Sequence, residues 1–120
     1  MAARPKSITL VGAGHLARAL APALKAAGYR IDAVAGRPGP ESQRRVRALA
    51  KKVGARWYSL DQLQPASDII WLLHTDDAIA GTAQALAKRS GCKGRIVLHS
   101  SGALSSDVLA PLKRAGANTA

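Results

Sequence analysis

The sequence predicts an α/β domain: a doubly wound parallel sheet in strand order 3-2-1-4-5, packed between helices as a three-layer αβα stack. Three observations carry that prediction. Short β-branched and aliphatic runs alternate with alanine- and leucine-rich helical patterns along the chain, and such alternation implies right-handed crossovers and a parallel sheet. The run Asp68-Ile69-Ile70-Trp71-Leu72-Leu73 is almost unbroken in apolar character, as expected of a strand buried on both faces. The first strand ends in a glycine turn that opens directly into a helical pattern.

That first unit reads Ile8-Thr9-Leu10-Val11-Gly12-Ala13-Gly14-His15-Leu16-Ala17. Its G-x-G-x-x-A spacing between strand and helix is that of a dinucleotide-binding loop. Gly12 allows the sharp turn and Gly14 leaves the backbone open to a pyrophosphate. Ala17 keeps the helix close to the sheet. In the helix, Leu16, Ala17, Leu20, Ala21, Leu24 and Ala27 share one face. Gly28 stops it, and Pro22 removes one hydrogen bond and is expected to bend it.

A second strand over 29–35 ends at Gly36-Arg37-Pro38-Gly39-Pro40. A second helix over 41–53 has an acid at its start and Lys51-Lys52 at its end, matching the helix dipole. Its arginines Arg44, Arg45 and Arg47 read as a solvated face. A brief third strand over 56–58 and a helical turn over 59–63 lead to Pro65. The fourth strand follows, then a helix from about 77 to 87, a fifth strand over 95–99, and a last helix over 106–115 interrupted by Pro111. The tail Ala117-Asn118-Thr119-Ala120 falls where the next strand of a doubly wound domain would begin. The reading therefore expects one domain over 1–120 and a continuation of the chain beyond it.

Composition narrows the function classes. Hydrophobic residues make up 48% of 120, but aromatics are only 3% and Phe is absent, so Ala, Val, Leu and Ile must build the core. The single cysteine, Cys92, excludes an intrachain disulfide and a cysteine metal cluster; no metal is expected. Residues 1–7 lack the apolar core of a signal peptide, and no apolar run approaches the roughly 18 residues of a membrane helix. A soluble, cytoplasmic protein is expected. A net charge of +11 favours anionic partners: nucleic acid, an acidic membrane surface or a multiply phosphorylated ligand. A plain basic surface is the other reading. The cations do not interleave with aromatics as in a single-strand binder.

Ligands of such sheets sit outside the carboxyl ends of the strands, at the switch between strands one and four. That selects 12–16, 36–38, 74–77 and 99–102. An NAD site needs an acid about 20 residues beyond the glycine loop, at the end of strand two, for the ribose 2′-hydroxyl. Here that end is Ala35-Gly36-Arg37, with no carboxylate beside it. Arg37 presents a forked donor suited to a 2′-phosphate, and Asp32 falls mid-strand, too early to reach the ribose. The expected cofactor is NADP(H), with an exposed turn arginine as the competing account of Arg37. Arg44 is a possible helper. Asp76 or Asp77 reads as the cap of the third helix.

Other polar groups keep two readings. His74, beside Thr75, is either a contact to ribose or nicotinamide or a structural histidine. His99, Ser100, Ser101 and Gly102 either position the nicotinamide amide or a substrate carbonyl, or tie the turn to the last helix. A hydrolytic triad lacks an acid near His99. His15 either reaches the phosphates or substrate or lies on the surface.

Ile8 to Gly14, Gly36-Arg37, Asp76-Asp77-Ala78-Ile79, His99-Ser100-Ser101-Gly102-Ala103-Leu104 and Asp107-Val108-Leu109-Ala110-Pro111-Leu112 together resemble the N-terminal domain of uncharacterised Rossmann-like predicted NADP oxidoreductases. That group lies near pyrroline-5-carboxylate reductase, the 6-phosphogluconate and β-hydroxyacid dehydrogenases and the deazaflavin-dependent NADP reductases. The likeness covers nearly all of the chain and departs from the family pattern at His15 and His74-Thr75. It implies NADP(H) held by Gly12, Gly14 and Arg37, with the nicotinamide near the ends of strands four and five. It also implies a C-terminal helical domain that completes the substrate site and often a homodimer. The catalytic acid or base would lie beyond this segment, so none is assigned.

The resulting expectation is the cofactor-binding domain of an NADP-dependent oxidoreductase acting on a small carbonyl- or imine-type substrate. A non-catalytic NADP(H)-sensing module is the alternative. A basic nucleic-acid binder comes third, because no recognition motif for nucleic acid is visible.

Overall fold

In the computed structural model, residues 6–63, 67–73, 76–88, 93–100 and 106–119 are described. They form a six-stranded parallel sheet of β1 (Ser7–Val11), β2 (Arg30–Gly36), β3 (Arg56–Ser59), β4 (Ile69–Leu72), β5 (Ile96–His99) and β6 (Asn118–Thr119). The strand order is β3-β2-β1-β4-β5-β6, so the expected order holds with β6 added beside β5, Ile96 opposite Asn118. Helices α1 (His15–Ala26), α2 (Pro40–Val53), α3 (Asp76–Ala87) and α4 (Ala110–Arg114) connect the strands.

β1 is buried along its whole length because it lies between β2 and β4 and under helices on both faces. Two half-cores result. Ile8, Leu10 and Val34 pack with Ala17 and Ala21 of α1 and Val46, Leu49 and Ala50 of α2. On the other side, Ile70, Leu72 and Val97 pack with Ile79, Ala83 and Leu86 of α3 and Leu112 of α4. Ala17 and Ala21 have no exposed surface; four residues apart, they form a flat stripe that brings α1 close to the sheet. Each fully buried leucine or isoleucine contributes about 1.5–3 kcal/mol by leaving water.

α1 continues through Pro22 as one helix, although the proline nitrogen has no hydrogen to donate. α2 starts with Pro40 at its amino end and ends at Gly54 in the left-handed region, φ 73°, the two positions that suit those residues.

Two sequence expectations are corrected. Pro111 does not interrupt the last helix. A 3-10 turn over Ser106–Leu109 precedes α4, and Pro111 sits in the first turn of α4, where no intrahelical N–H is required. Nor is β4 buried on both faces. Ile70 and Leu72 are fully buried, whereas Ile69 and Trp71 are only partly covered. α1 and α2 lie over the β1–β3 half of the sheet, so β4 meets only the margin of their core.

At the amino ends of the strands a polar seam locks the sheet. The Ser7 amide and hydroxyl donate to Asp68 at 3.1 and 3.2 Å. The Thr9 and Ser67 hydroxyls are 2.6 Å apart and buried, and Ser67 donates in turn to Asp32 at 3.1 Å. Such groups are satisfied by one another rather than by a ligand.

Candidate functional site

At the opposite, carboxyl end of the sheet the chain leaves β1 through a turn anchored on both sides. The Gly12 amide donates to the Ala35 carbonyl of β2 at 2.7 Å, and the Leu73 amide, just after β4, donates to Val11 at 2.8 Å. Gly12 has φ 116°, a region that side chains other than glycine rarely enter. Gly14 then caps α1 with φ −81°, without a side-chain hydrogen bond and without an acidic residue in the first turn. Its conformation would suit any residue; its glycine serves space. A Cβ added at Gly14 would meet no atom within 4 Å, so the volume above this amide is open. The amino end of α1 thus offers uncapped donors and positive dipole to an anion.

This turn opens into a cavity of about 530 Å³, within the size range of small-molecule sites. Gly12, Ala13 and Gly14 form one wall, and Gly36, Arg37 and the start of α2 form the other. Gln43 holds that second wall in shape: its side-chain amide donates to the carbonyls of Gly36 at 3.2 Å and Arg37 at 2.9 Å. Gly36 is small for a different reason from Gly14. A Cβ there would come within 2.5 Å of Val46 Cγ2, so its absence lets α2 pack on β2.

Of the residues singled out from the sequence, Gly12, Ala13, Gly14, Gly36 and Arg37 converge on this cavity. His15 and Leu16 are exposed on the first turn of α1 and do not line it. The His15 ring accepts a hydrogen bond at Nδ1 from Arg18 at 3.1 Å, since a guanidinium can only donate. His99 ends β5, paired with Leu72 of β4, Ser100 follows it, and both are likewise outside the lining. The Ser100 hydroxyl accepts from the Trp71 indole at 2.6 Å. His74 and Thr75 lie outside the described residues, as do Ser101 and Gly102. Asp32 is far down β2, bonded to Arg30 at 2.7 Å and to Ser67; it belongs to the amino-end seam.

The cavity also contains residues the sequence reading missed: Glu41, Ser42 and Arg45. The end of β2 itself carries no carboxylate, as expected, but Glu41 from the start of α2 brings one to the same cavity. Its Oε1 accepts from Arg45 at 3.0 Å. Arg45, rather than Arg44, faces the site, and helix phase explains why. Val46, Leu49, Ala50 and Val53 define the buried stripe of α2, and at about 100° per residue Arg44 projects away from it while Arg45 lies on its flank. Arg47 occupies the other flank, 5.4 Å over the Trp57 ring; all three arginines are exposed, as the solvated-face reading expects, but Arg45 alone also borders the cavity. The spacing of the buried stripe was the available signal.

The described helices include none long and apolar enough to cross a membrane. Solved structures share the architecture. A candidate NADP oxidoreductase from Bacteroides fragilis is 28% identical with a TM-score of 0.75, matching 87% of this chain and 39% of its own. A pyrroline-5-carboxylate reductase from Coxiella burnetii is 18% identical with a TM-score of 0.74, over 91% of this chain and 40% of that one. The quinate dehydrogenase of Corynebacterium glutamicum, solved with NAD, is 18% identical with a TM-score of 0.67, over 98% and 44%. This chain therefore spans about two fifths of the length of these proteins. A comparison with curated proteins produced no match. A family model described as a Rossmann-like domain matches residues 2–119, and with the parallel sheet and glycine turn in place the chain belongs to that Rossmann-like domain family.

Proposed function

We propose that this chain is the cofactor-binding domain of an NADP-dependent oxidoreductase, working with a second domain that holds a small carbonyl- or imine-type substrate. The observation that carries the reading is the shared cavity of the open Gly14 turn and the Arg37 wall. The only acid on β2, Asp32, is bonded at the other end of the sheet. In this reading Gly12 and Gly14 admit a diphosphate to the backbone, and the uncapped start of α1 stabilises its charge. Arg37 supplies a charged donor for a 2′-phosphate, and Gln43 holds the turn that carries it. When bound, the nicotinamide supplies a hydride donor or acceptor at C4. The 28% identical Bacteroides fragilis protein, itself described as a candidate NADP oxidoreductase, supports the choice of cofactor.

The test is a calorimetric titration with NADPH and NADH. Arg37→Ala should weaken NADPH by about 10- to 100-fold, the loss of a charge-assisted hydrogen bond of roughly 1.5–3 kcal/mol, and leave NADH within about twofold. Equal losses for both cofactors would remove Arg37 from the role.

A further inference from the structure

We propose that the Glu41–Arg45 pair on α2 is an exchangeable selector for the ribose 2′ position. Arg45 is the second cation for a 2′-phosphate. Glu41 is its resident counter-ion, and it accepts from the 2′-hydroxyl when no phosphate is present. This inference rests on the dinucleotide reading of the cavity and assigns roles within it that Arg37 alone does not fill.

The geometry points to exchange rather than to a structural bridge. Both residues line the same cavity as Arg37 and Gly14. The side chains of Arg45 and Glu41 are 59% and 70% exposed, and a single 3.0 Å contact joins them. An exposed pair one helical turn apart is weak and gives way readily to a better partner. A phosphate dianion is such a partner, because it offers several oxygens to the fork of a guanidinium. Three further features favour an anion at this place. α2 begins at Gly39 without a side-chain cap, so its amino end adds positive potential. The Ser42 hydroxyl, 3.2 Å from where a Gly36 Cβ would sit, also lines the cavity. Arg45 lies one turn into the helix, on the flank that faces the glycine turn. Glu41 opposes the anion by charge and so holds the preference for phosphate below what two arginines would give. Neutralising it should raise that preference and cost the unphosphorylated ribose its acceptor.

The experiment uses the whole chain with two fragments, adenosine 2′,5′-bisphosphate and 5′-AMP, titrated by calorimetry against wild type, Glu41→Gln, Arg45→Met and Arg37→Ala. Glu41→Gln should tighten the bisphosphate by about threefold to tenfold and weaken 5′-AMP by about threefold, shifts in the range of one exposed charge. Arg45→Met should weaken the bisphosphate by about tenfold and leave 5′-AMP within about twofold. If both fragments bind and only Arg37→Ala changes their ratio, the selector is overturned while the dinucleotide reading survives. If neither fragment binds wild type, both fall together. Thermal melting of each variant confirms that the fold is intact, as expected for side chains on an exposed helix surface.

Discussion

The two glycine turns at the carboxyl end of the sheet look alike in sequence and differ in what their glycines do. After β1, Gly14 keeps an ordinary backbone conformation under open space. At the end of β2, Gly36 is buried, and the place of its missing side chain is filled by Val46 and Ser42 of α2. One glycine leaves open space beside the cavity, and the space of the other is taken up by the chain itself. A glycine near a ligand cavity therefore identifies a ligand-facing position only when the volume above it is empty. That distinction is physical and can be broken by substitution.

The largest effect should come from Gly36→Ala. The added carbon would press on Val46, a β-branched side chain with 1% exposure that has little freedom to rotate away. Overpacking of this kind costs about 1–3 kcal/mol, which lowers the melting temperature by roughly 3–6 °C per kcal/mol in a domain of 120 residues. Differential scanning calorimetry measures it directly. An unchanged melting temperature would mean that α2 can slide away from β2, and the packing account of Gly36 would fail.

Gly14→Ala should do the reverse. With no atom within 4 Å of the new methyl group and a backbone already at φ −81°, stability should change by only about 0.5 kcal/mol. NADPH affinity should fall by about tenfold or more, equivalent to roughly 1.4 kcal/mol, and NADH affinity with it, because the diphosphate is common to both. A variant that melts early yet binds normally would invert the comparison and refute it.

The same contrast explains how far the molecule could be read from its residues. Strand order, crossovers and the glycine turn were legible because each rests on local pattern: apolar runs of strand length, alanine-rich helical spacing, and glycine between them. That Asp32 falls short of the carboxyl end was legible too, since counting along the strand puts it mid-strand; its bond to Ser67 in the amino-end seam was not. Glu41 was not, although the chain has only seven acids. Its distance from the glycine turn depends on how the Gly-Pro-Gly-Pro segment returns α2 over the sheet, which is a tertiary matter. Arg45 was half legible, because the buried stripe of α2 sets its direction once Val46 and Leu49 are taken as core. Pro111 was misread because a proline in a helical pattern looks the same whether it interrupts a helix or starts one. The half-covered face of β4 was hidden for a similar reason: an apolar run records what a strand tolerates, not how far the neighbouring helices extend.

The smallest effect separates shape from charge within the second turn. Gln43 bonds the Gly36 and Arg37 carbonyls with one amide nitrogen. Gln43 is only half-buried, so water can replace much of what it donates, and Gln43→Ala should cost about 0.5–1 kcal/mol of stability. Its binding effect should be selective. A loosened turn leaves the guanidinium of Arg37 present but unplaced, so NADPH should weaken by about threefold, about half the free energy of a tenfold loss, while NADH stays unchanged. The Arg37→Ala, Gln43→Ala double variant settles the point. If Gln43 acts through Arg37, removing it from a chain that already lacks the guanidinium should cost NADPH nothing further. Additive losses would instead give Gln43 its own contact with the ligand, and the turn would then be a direct binding surface rather than a support.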